Sequence, residues 1–377
     1  MRESFSVKTQ ILSDERIQWL RFVLNPSSNV PDIQDWEGVF RFSRRQAVAG
    51  ICSPIQFDSV PVEEKLSLKW KGVLVVLQNR NEVLNRQAVQ LSEHLREAGF
   101  RSCILKGQGN AMMYPYPYLR MPGDIDVWVD ADRAQLKNYV ETLFPGQEEM
   151  FKHIKFPLFK DTPVDLHDTP LKFYRPRINR RLQDWLQENK ERQMRHSVRL
   201  ADTDMDVAIP TPDFNAVYQL GHIMIHVEAG GVGLKHFVDY FYVLKALDGM
   251  DERQKEEIVS TWKSLGMLKM ARAVMWVERY VLGLPENCIL TAPDEKLGAL
   301  LIADIFEGGH FGLYGDRKKY RNRGWFVRVV YGVWRVLKVS RYFPAESFFR
   351  LLHKIKTAFV ALPALIFDPR IKQKLGR

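Results

Sequence analysis

The 377-residue sequence predicts an α/β (α+β) fold: a small mixed-sheet core embedded in N- and C-terminal helical regions. Three observations carry that expectation. Between 63 and 98, apolar residues recur at helical spacing (Val73, Val76, Leu77, Val83, Leu84, Val89, Leu91, Leu95). Between 101 and 167 the pattern shortens to brief apolar runs separated by glycine and proline turns, the signature of strands. From 214 onward helical spacing returns. The organisation reads as an N-terminal helical region at 1–99, an α/β core at 100–210, a helical domain at 211–310 and a basic, aromatic helical tail at 311–377.

The elements follow in order. Ile17, Trp19, Leu20, Phe22 and Val23 mark a first helix, closed by Asn25-Pro26. Asp35-Trp36 leading into Val39, Phe40 and Phe42 marks a second. The run 63–98 is one long helix or two consecutive ones, with Gly99 where a C′ glycine belongs. A strand at 101–105 ends at the turn Lys106-Gly107, a short helix is expected at 110–114, and Pro115 and Pro117 force a loop. The run 124–130 is the second strand, and 131–144 a helix closed by Pro145-Gly146. Runs at 154–159 and 164–167 form a hairpin around Asp161-Thr162-Pro163. A charged helix is expected at 177–193 and a strand pair within 198–209. Helices follow at 214–227, with Asp213 as N-cap, at 235–247 after Gly230-Gly231-Val232-Gly233, and at 252–265 and 267–281.

Composition is that of an ordinary globular chain, 46% hydrophobic and 27% charged, without low-complexity tracts. Cys52, Cys103 and Cys288 are isolated and odd in number, so neither a zinc ribbon nor a disulfide framework is implied. No apolar run reaches the length of a membrane span, and the first residues lack the apolar core of a signal peptide. The expected location is the cytoplasm. Of the chain's 55 basic and 45 acidic residues, the stretch 311–377 holds 16 and 3, a balance of +13; the first 310 residues hold 39 and 42. The net charge of +10 therefore belongs to the tail.

The most informative segment is Asp124-Ile125-Asp126 at the head of an apolar run. Residues i and i+2 of a strand point to the same face, so both carboxylates leave it together. Paired hard oxygen ligands suit Mg²⁺, or Mn²⁺, completed by substrate phosphates. Upstream, Lys106-Gly107-Gln108 before a short helix offers backbone N–H groups and a cation for phosphate, and Arg120 offers another cation. Downstream, Val164-Asp165-Leu166-His167 offers a third acid, which a strand antiparallel to its neighbour would bring alongside the first pair. Asp161 and Asp168 compete for that place. The combination reads as transfer of a phosphorus-containing group from a nucleoside triphosphate.

The order Leu105-Lys106-Gly107, Tyr114-Pro115, Arg120, Asp124-Ile125-Asp126, then Val164-Asp165-Leu166-His167 resembles the bacterial uncharacterised nucleotidyltransferases of the DNA polymerase beta-like superfamily. His222, His226, Leu234-Lys235-His236 and Asp239 look like that family's C-terminal half. The resemblance implies a nucleotidyltransferase core in which Asp124, Asp126 and Asp165 hold metal, Asp165 being either third ligand or base for the acceptor hydroxyl. The superfamily's usual Gly-Ser is Gly107-Gln108 here, which removes a serine hydroxyl from the phosphate cradle.

Other features have plainer readings beside the chemical one. His167 faces the metals or is structural; His222 and His226 share one helical face, read as packed histidines rather than zinc ligands since no HExxH accompanies them. The tyrosines of 114–118 stack on a base or simply pack their loop. In the tail, Trp325, Phe326, Val329, Val330, Val333, Trp334, Val336 and Leu337 alternate with Arg328, Arg335 and Lys338, an apolar helix with a basic edge. This fits a solvated helical subdomain, or peripheral contact with an anionic membrane at its inner face; no nucleic-acid motif is present. Two rival functions remain: a DxD glycosyltransferase using a nucleotide sugar, which leaves Lys106 and Asp165 without a task, and a non-catalytic adaptor at the membrane surface. The acceptor (small molecule, glycan or protein) is not legible.

Overall fold

The structure, a computed structural model, describes residues 8–27, 29–57, 60–147, 153–314, 320 and 325–367. Helices α1 (Glu15–Leu24) and α2 (Trp36–Arg45) are capped by Asp14 and Asp35, whose carboxylates accept from Arg16 and Gly38 N–H groups. They lead to α3 (Glu64–Glu97), a single helix of 34 residues and, at 1.5 Å per residue, about 51 Å long. Gly99 (φ 84) closes it, and Phe100 N donates to Leu95 O at 2.8 Å, as expected of a C′ glycine.

The sheet comprises β1 (Ser102–Ile104), β2 (Ile125–Val129), β3 (Ile154–Lys155) and β4 (Val164–His167), in the order β1-β2-β4-β3. β1 runs antiparallel to β2, and β3 to β4. β2 and β4, however, are parallel, pairing Asp126 with Asp165. The hairpin at 154–167 therefore forms as expected, though with a shorter first strand, but its second strand reaches β2 in parallel rather than antiparallel. Helix α4 (Gln108–Ala111) is a single turn starting two residues earlier than its sequence suggests, and α5 (Arg133–Leu143) carries a full Asp132–Gln135 capping box.

Each face of the sheet has its own core. Ile104, Ile125, Val127, Val129, Val164 and Leu166 pack against the C-terminal half of α3 and against α5. Cys103 and Trp128 face the other way, into the large core formed with the helices. Because α3 contributes Leu66 and Trp70 to one core and Leu84, Ala88 and Leu91 to the other, it rigidly connects them.

Helix α6 (Pro176–Arg195) and the ribbon β5 (Ser197–Arg199)–β6 (Asp206–Ala208) lead to the helical region. Helix α7 (Pro212–Ala229) starts earlier than expected: Thr211 is the N-cap and Pro212 the first helical residue, so Asp213 lies in the first turn and pairs with Arg192. Gly230 in the left-handed region ends it, and α8 (Leu234–Lys245) returns alongside. Helix α9 (Glu252–Ser264) and α10 (Leu268–Trp276), the latter continued by a π-turn over Val277–Leu282, match the sequence pattern. Helix α11 (Glu295–Gly308) has no counterpart in the sequence reading.

Helices α12 (Trp325–Val339) and α13 (Pro344–Phe367) form the tail. Two residues of the basic edge of α12, Arg335 and Lys338, are tied to α11. Arg335 is buried, reaching Asp304 on α11 and the Val227 carbonyl at 2.8 Å, and Lys338 reaches Asp304 at 2.6 Å. Val329, Val330, Trp334 and Leu337 are left exposed. The side chains of Trp325, Phe326 and Arg328, and the boundary at Gly324, lie outside the described residues. Among the described residues no helix is long and apolar enough to cross a membrane.

Candidate active site

Alternation along β2 sends Ile125, Val127 and Val129 into the α3–α5 core, so Asp124, Asp126 and Trp128 must point to the opposite face. The parallel register does the same for β4, directing Asp165 and His167 to that face. One carboxylate oxygen from each of Asp124, Asp126 and Asp165 lies within 4.8 Å of the others. Asp126 and Asp165 are buried and Asp124 is exposed at the mouth. The competing acids are elsewhere: Asp168 pairs with Arg133 (2.8 Å) and Lys172 (3.0 Å), and Asp161 sits exposed in the hairpin turn.

Lysine and histidine nitrogens surround the buried acids. Lys106 Nζ is 2.8 Å from Asp126 Oδ2 and His167 Nε2 is 2.9 Å from its Oδ1. Lys155 Nζ is 2.8 Å from Asp165 Oδ1, with His153 Nε2 3.4 Å from Oδ2. Burial alone would raise the Asp126 carboxyl, but Lys106 and His167 outweigh it and hold the group far below the carboxylate range. Burial likewise would lower the Lys106 ammonium, yet Asp126 and Asp124 hold it well above its ordinary value. The result is a charged carboxylate facing a charged amine. His167 Nδ1 is a buried polar atom without a hydrogen-bond partner, while Asp126 Oδ2 and His153 Nε2 have only their ion-pair partners. Polar atoms left under-satisfied beside one acid cluster are what a site shaped for a ligand would leave. Three hard carboxylates with surplus acceptor capacity fit a divalent cation of the Mg²⁺ or Mn²⁺ kind.

The turn before α4 is locally strained. Lys106 has φ 40 and Gly107 φ 59, ψ −117. Glycine adopts that second conformation without penalty, while lysine at positive φ costs about 1–3 kcal/mol. The turn aims the Lys106 side chain at the acids. Gln108 turns the other way: its amide donates to Asn85 on α3 and its side chain is buried against that helix, outside the cavity. Its side chain is therefore engaged by α3, and the sequence expectation for Gln108 rests on the backbone N–H of the turn. Arg120 borders the cavity but forms a buried, bidentate pair with Asp239 on α8 at 2.7 and 2.8 Å. Tyr114 donates to the same carboxylate at 2.6 Å, so it packs rather than stacks on a base. Asn81 on α3 holds the intervening loop by donating to the Tyr118 and Arg120 carbonyls at 3.0 and 2.9 Å.

The opposite wall of this cavity of about 260 Å³ comes from α7 and α8. Tyr218, His222, His226, Lys235 and His236 line it, facing Asp124, Asp126 and Asp165. Lys106 reaches across, with Nζ 3.3 Å from His222 Nε2. Burial, reinforced by Arg120, pushes the Lys235 ammonium down to about 7. Burial and the neighbouring histidines keep His236 well below its usual value, hence neutral. Lys155, Lys235 and His153 were not legible as site residues in the sequence, since lone basic residues near strand and helix starts carry no pattern. A hairpin pairing that sets Lys155 opposite Asp165 was the only available signal.

Residues 32–283, more than half of the chain, match the model of a family described as uncharacterised nucleotidyltransferase. No curated protein matches. Among solved structures the chain is similar to an antigenic nucleotidyltransferase-like protein from Paracoccidioides brasiliensis, at 11% identity over 50% of this chain and 91% of that one, with a TM-score of 0.28. On the family match, the chain belongs to the uncharacterised nucleotidyltransferase family and is a transferase.

Proposed function

With membership of that family as the premise, we propose that this nucleotidyltransferase moves a nucleoside monophosphate from a triphosphate to a hydroxyl or phosphate oxygen of an acceptor, with Asp124, Asp126 and Asp165 as ligands of Mg²⁺ or Mn²⁺. The observation that carries the reading is the parallel register setting Asp165 beside Asp126, with Asp124 two residues before it on the same face. Bound divalent ions supply Lewis-acid stabilisation of the charge that develops on the phosphates.

The chain's own residues do the remainder. Lys106, fixed by its strained turn, places an ammonium beside the carboxylates, where it stabilises the leaving pyrophosphate. Backbone N–H groups at Gly107 and Gln108 meet the phosphates. Lys235 contributes a cation from the facing wall, and Arg120 holds the pocket mouth through Asp239 while offering its remaining edge to phosphate. In the transfer, the acceptor oxygen bonds to the α-phosphorus as the bond from that phosphorus to the bridging oxygen breaks. The pyrophosphate leaves with the electron pair, and where the acceptor is a hydroxyl its proton passes to the Asp165 carboxylate.

Asp124→Asn and Asp126→Asn should each abolish divalent-dependent pyrophosphate release while circular dichroism stays unchanged. Retention of full release by the double variant overturns the reading. The tail adds a peripheral contact with anionic membrane from the cytoplasmic side. Its support is the exposed Val329, Val330, Trp334 and Leu337 on α12 and Phe348, Leu352 and Ile355 on α13, within a stretch of net charge +13. Salt-sensitive sedimentation with phosphatidylserine vesicles, lost in Trp334→Glu, checks it; equal binding to neutral vesicles contradicts it.

A further inference from the structure

His222 and His226 are four residues apart on α7 and share one face of it, with ring centroids 4.4 Å apart. Helix α8 adds His236, whose ring lies 4.7 Å from His226 and 5.8 Å from His222. One ring nitrogen from each lies within 4.8 Å of the other two. A tetrahedral site with metal–nitrogen bonds of about 2.0–2.1 Å spaces its ligands roughly 3.3–3.4 Å apart, a distance that small side-chain rotations reach from here.

The surroundings favour ligation over packing. His236 Nδ1 is 3.4 Å from the Gly233 carbonyl; donation there leaves the lone pair on Nε2, the arrangement common in ligating histidines. Phe311 covers one side, 5.7 Å from His226 and 6.0 Å from His236. It can approach so closely because Gly231 has no side chain: a Cβ there would lie 2.3 Å from the Phe311 backbone. The other side of the cluster opens into the cavity that holds the carboxylates.

We propose that His222, His226 and His236 bind a transition-metal ion of the Zn²⁺ class at a second site, separate from the carboxylates and open at one coordination position toward the same cavity. Imidazole nitrogens select Zn²⁺, Co²⁺ and related ions, whereas carboxylate oxygens select Mg²⁺ or Mn²⁺. Three protein ligands and one open position form the arrangement of a catalytic rather than a structural zinc, so a substrate oxygen is the fourth ligand. Lys106 lies between the two sites, in contact with Asp126 and with His222 Nε2. Metal at that nitrogen displaces the ammonium toward the acids and the phosphates.

Titration of the full-length protein with Co²⁺ alone tests this. One equivalent should bind with the intense visible absorption of four-coordinate cobalt, bleached by Zn²⁺ and not by excess Mg²⁺. His226→Ala and His236→Ala should each weaken binding by about 100-fold or more, while Asp124→Asn and Asp165→Asn leave it within about twofold. X-ray absorption of the Zn²⁺-loaded wild type needs no variant and should show three imidazoles. No uptake, the weak absorption of six-coordinate cobalt, fewer than three imidazoles, or binding lost with the aspartates but kept without the histidines would overturn the proposal.

Discussion

The sheet side of the cavity carries Asp124, Asp126 and Asp165; the helical side carries His222, His226, Lys235 and His236. On the sheet side, Lys106 and His167 hold Asp126 fully charged, and Lys155 pairs with Asp165. On the helical side, burial keeps His236 neutral and lowers Lys235. One wall stores charge in compensated pairs and the other suppresses it. The same desolvation acts on both; what differs is whether an opposite charge is fixed within about 3 Å, where attraction outweighs burial. Placing the two walls on rigid, separate elements sets charged pairs and uncharged nitrogens side by side in one cavity.

The largest expected effect lies where the helical wall breaks this pattern, at the Arg120–Asp239 pair. Arg120→Ala leaves a buried carboxylate uncompensated and should cost about 3–5 kcal/mol of stability in urea denaturation. A loss below about 1 kcal/mol would mean that Asp239 finds water instead. Next, Lys106→Met should lower the rate of triphosphate turnover by about 10²–10³-fold, the scale of a lost charge-stabilising donor. Lys235→Met, on the other wall, should cost less in rate and show itself in pH dependence. The Lys235 ammonium, with its value near 7, is charged below pH 7 and neutral above, so triphosphate affinity should weaken as pH rises through 7, by up to about tenfold per unit. Nucleotide titration between pH 6 and 8.5 reads this directly, and a wild-type profile as flat as that of Lys235→Met contradicts it. The smallest effect belongs to Tyr114→Phe, which removes one hydrogen bond to Asp239 and should cost about 1–3 kcal/mol or less in melting experiments.

The two walls also differ in how well the sequence reveals them. Asp124 and Asp126 are legible because strand alternation is local: two residues suffice to place them together. Asp165 is legible through its hairpin, but choosing it over Asp161 and Asp168 requires the β2–β4 register. The helical wall is tertiary. His222 and His226 show their shared face in sequence, yet His236 joins them only because the glycine-rich turn folds α8 back along α7. The side chains of Gln108 and Arg120 show the same limit: both have buried partners, Asn85 and Asp239, that are distant in sequence and not legible there. Arg335 and Lys338 repeat the lesson in the tail, where Asp304 on α11 holds both while apolar residues of α12 stay exposed. Helix α11 escaped notice because apolar residues fill most positions from Leu297 to Ile305, which masks the helical spacing of its buried Leu297, Leu301, Ile302 and Ile305.

The central claim is that the carboxylate wall directs transfer of a nucleotidyl group. Incubating the protein and Mg²⁺ with cell extract and triphosphate labelled at either the α- or the γ-phosphorus tests it most directly. The account predicts α-label on an acceptor and γ-label released as pyrophosphate, both lost in Asp126→Asn. Transfer of γ-label to the acceptor, or α-label transfer that survives Asp126→Asn, would contradict it.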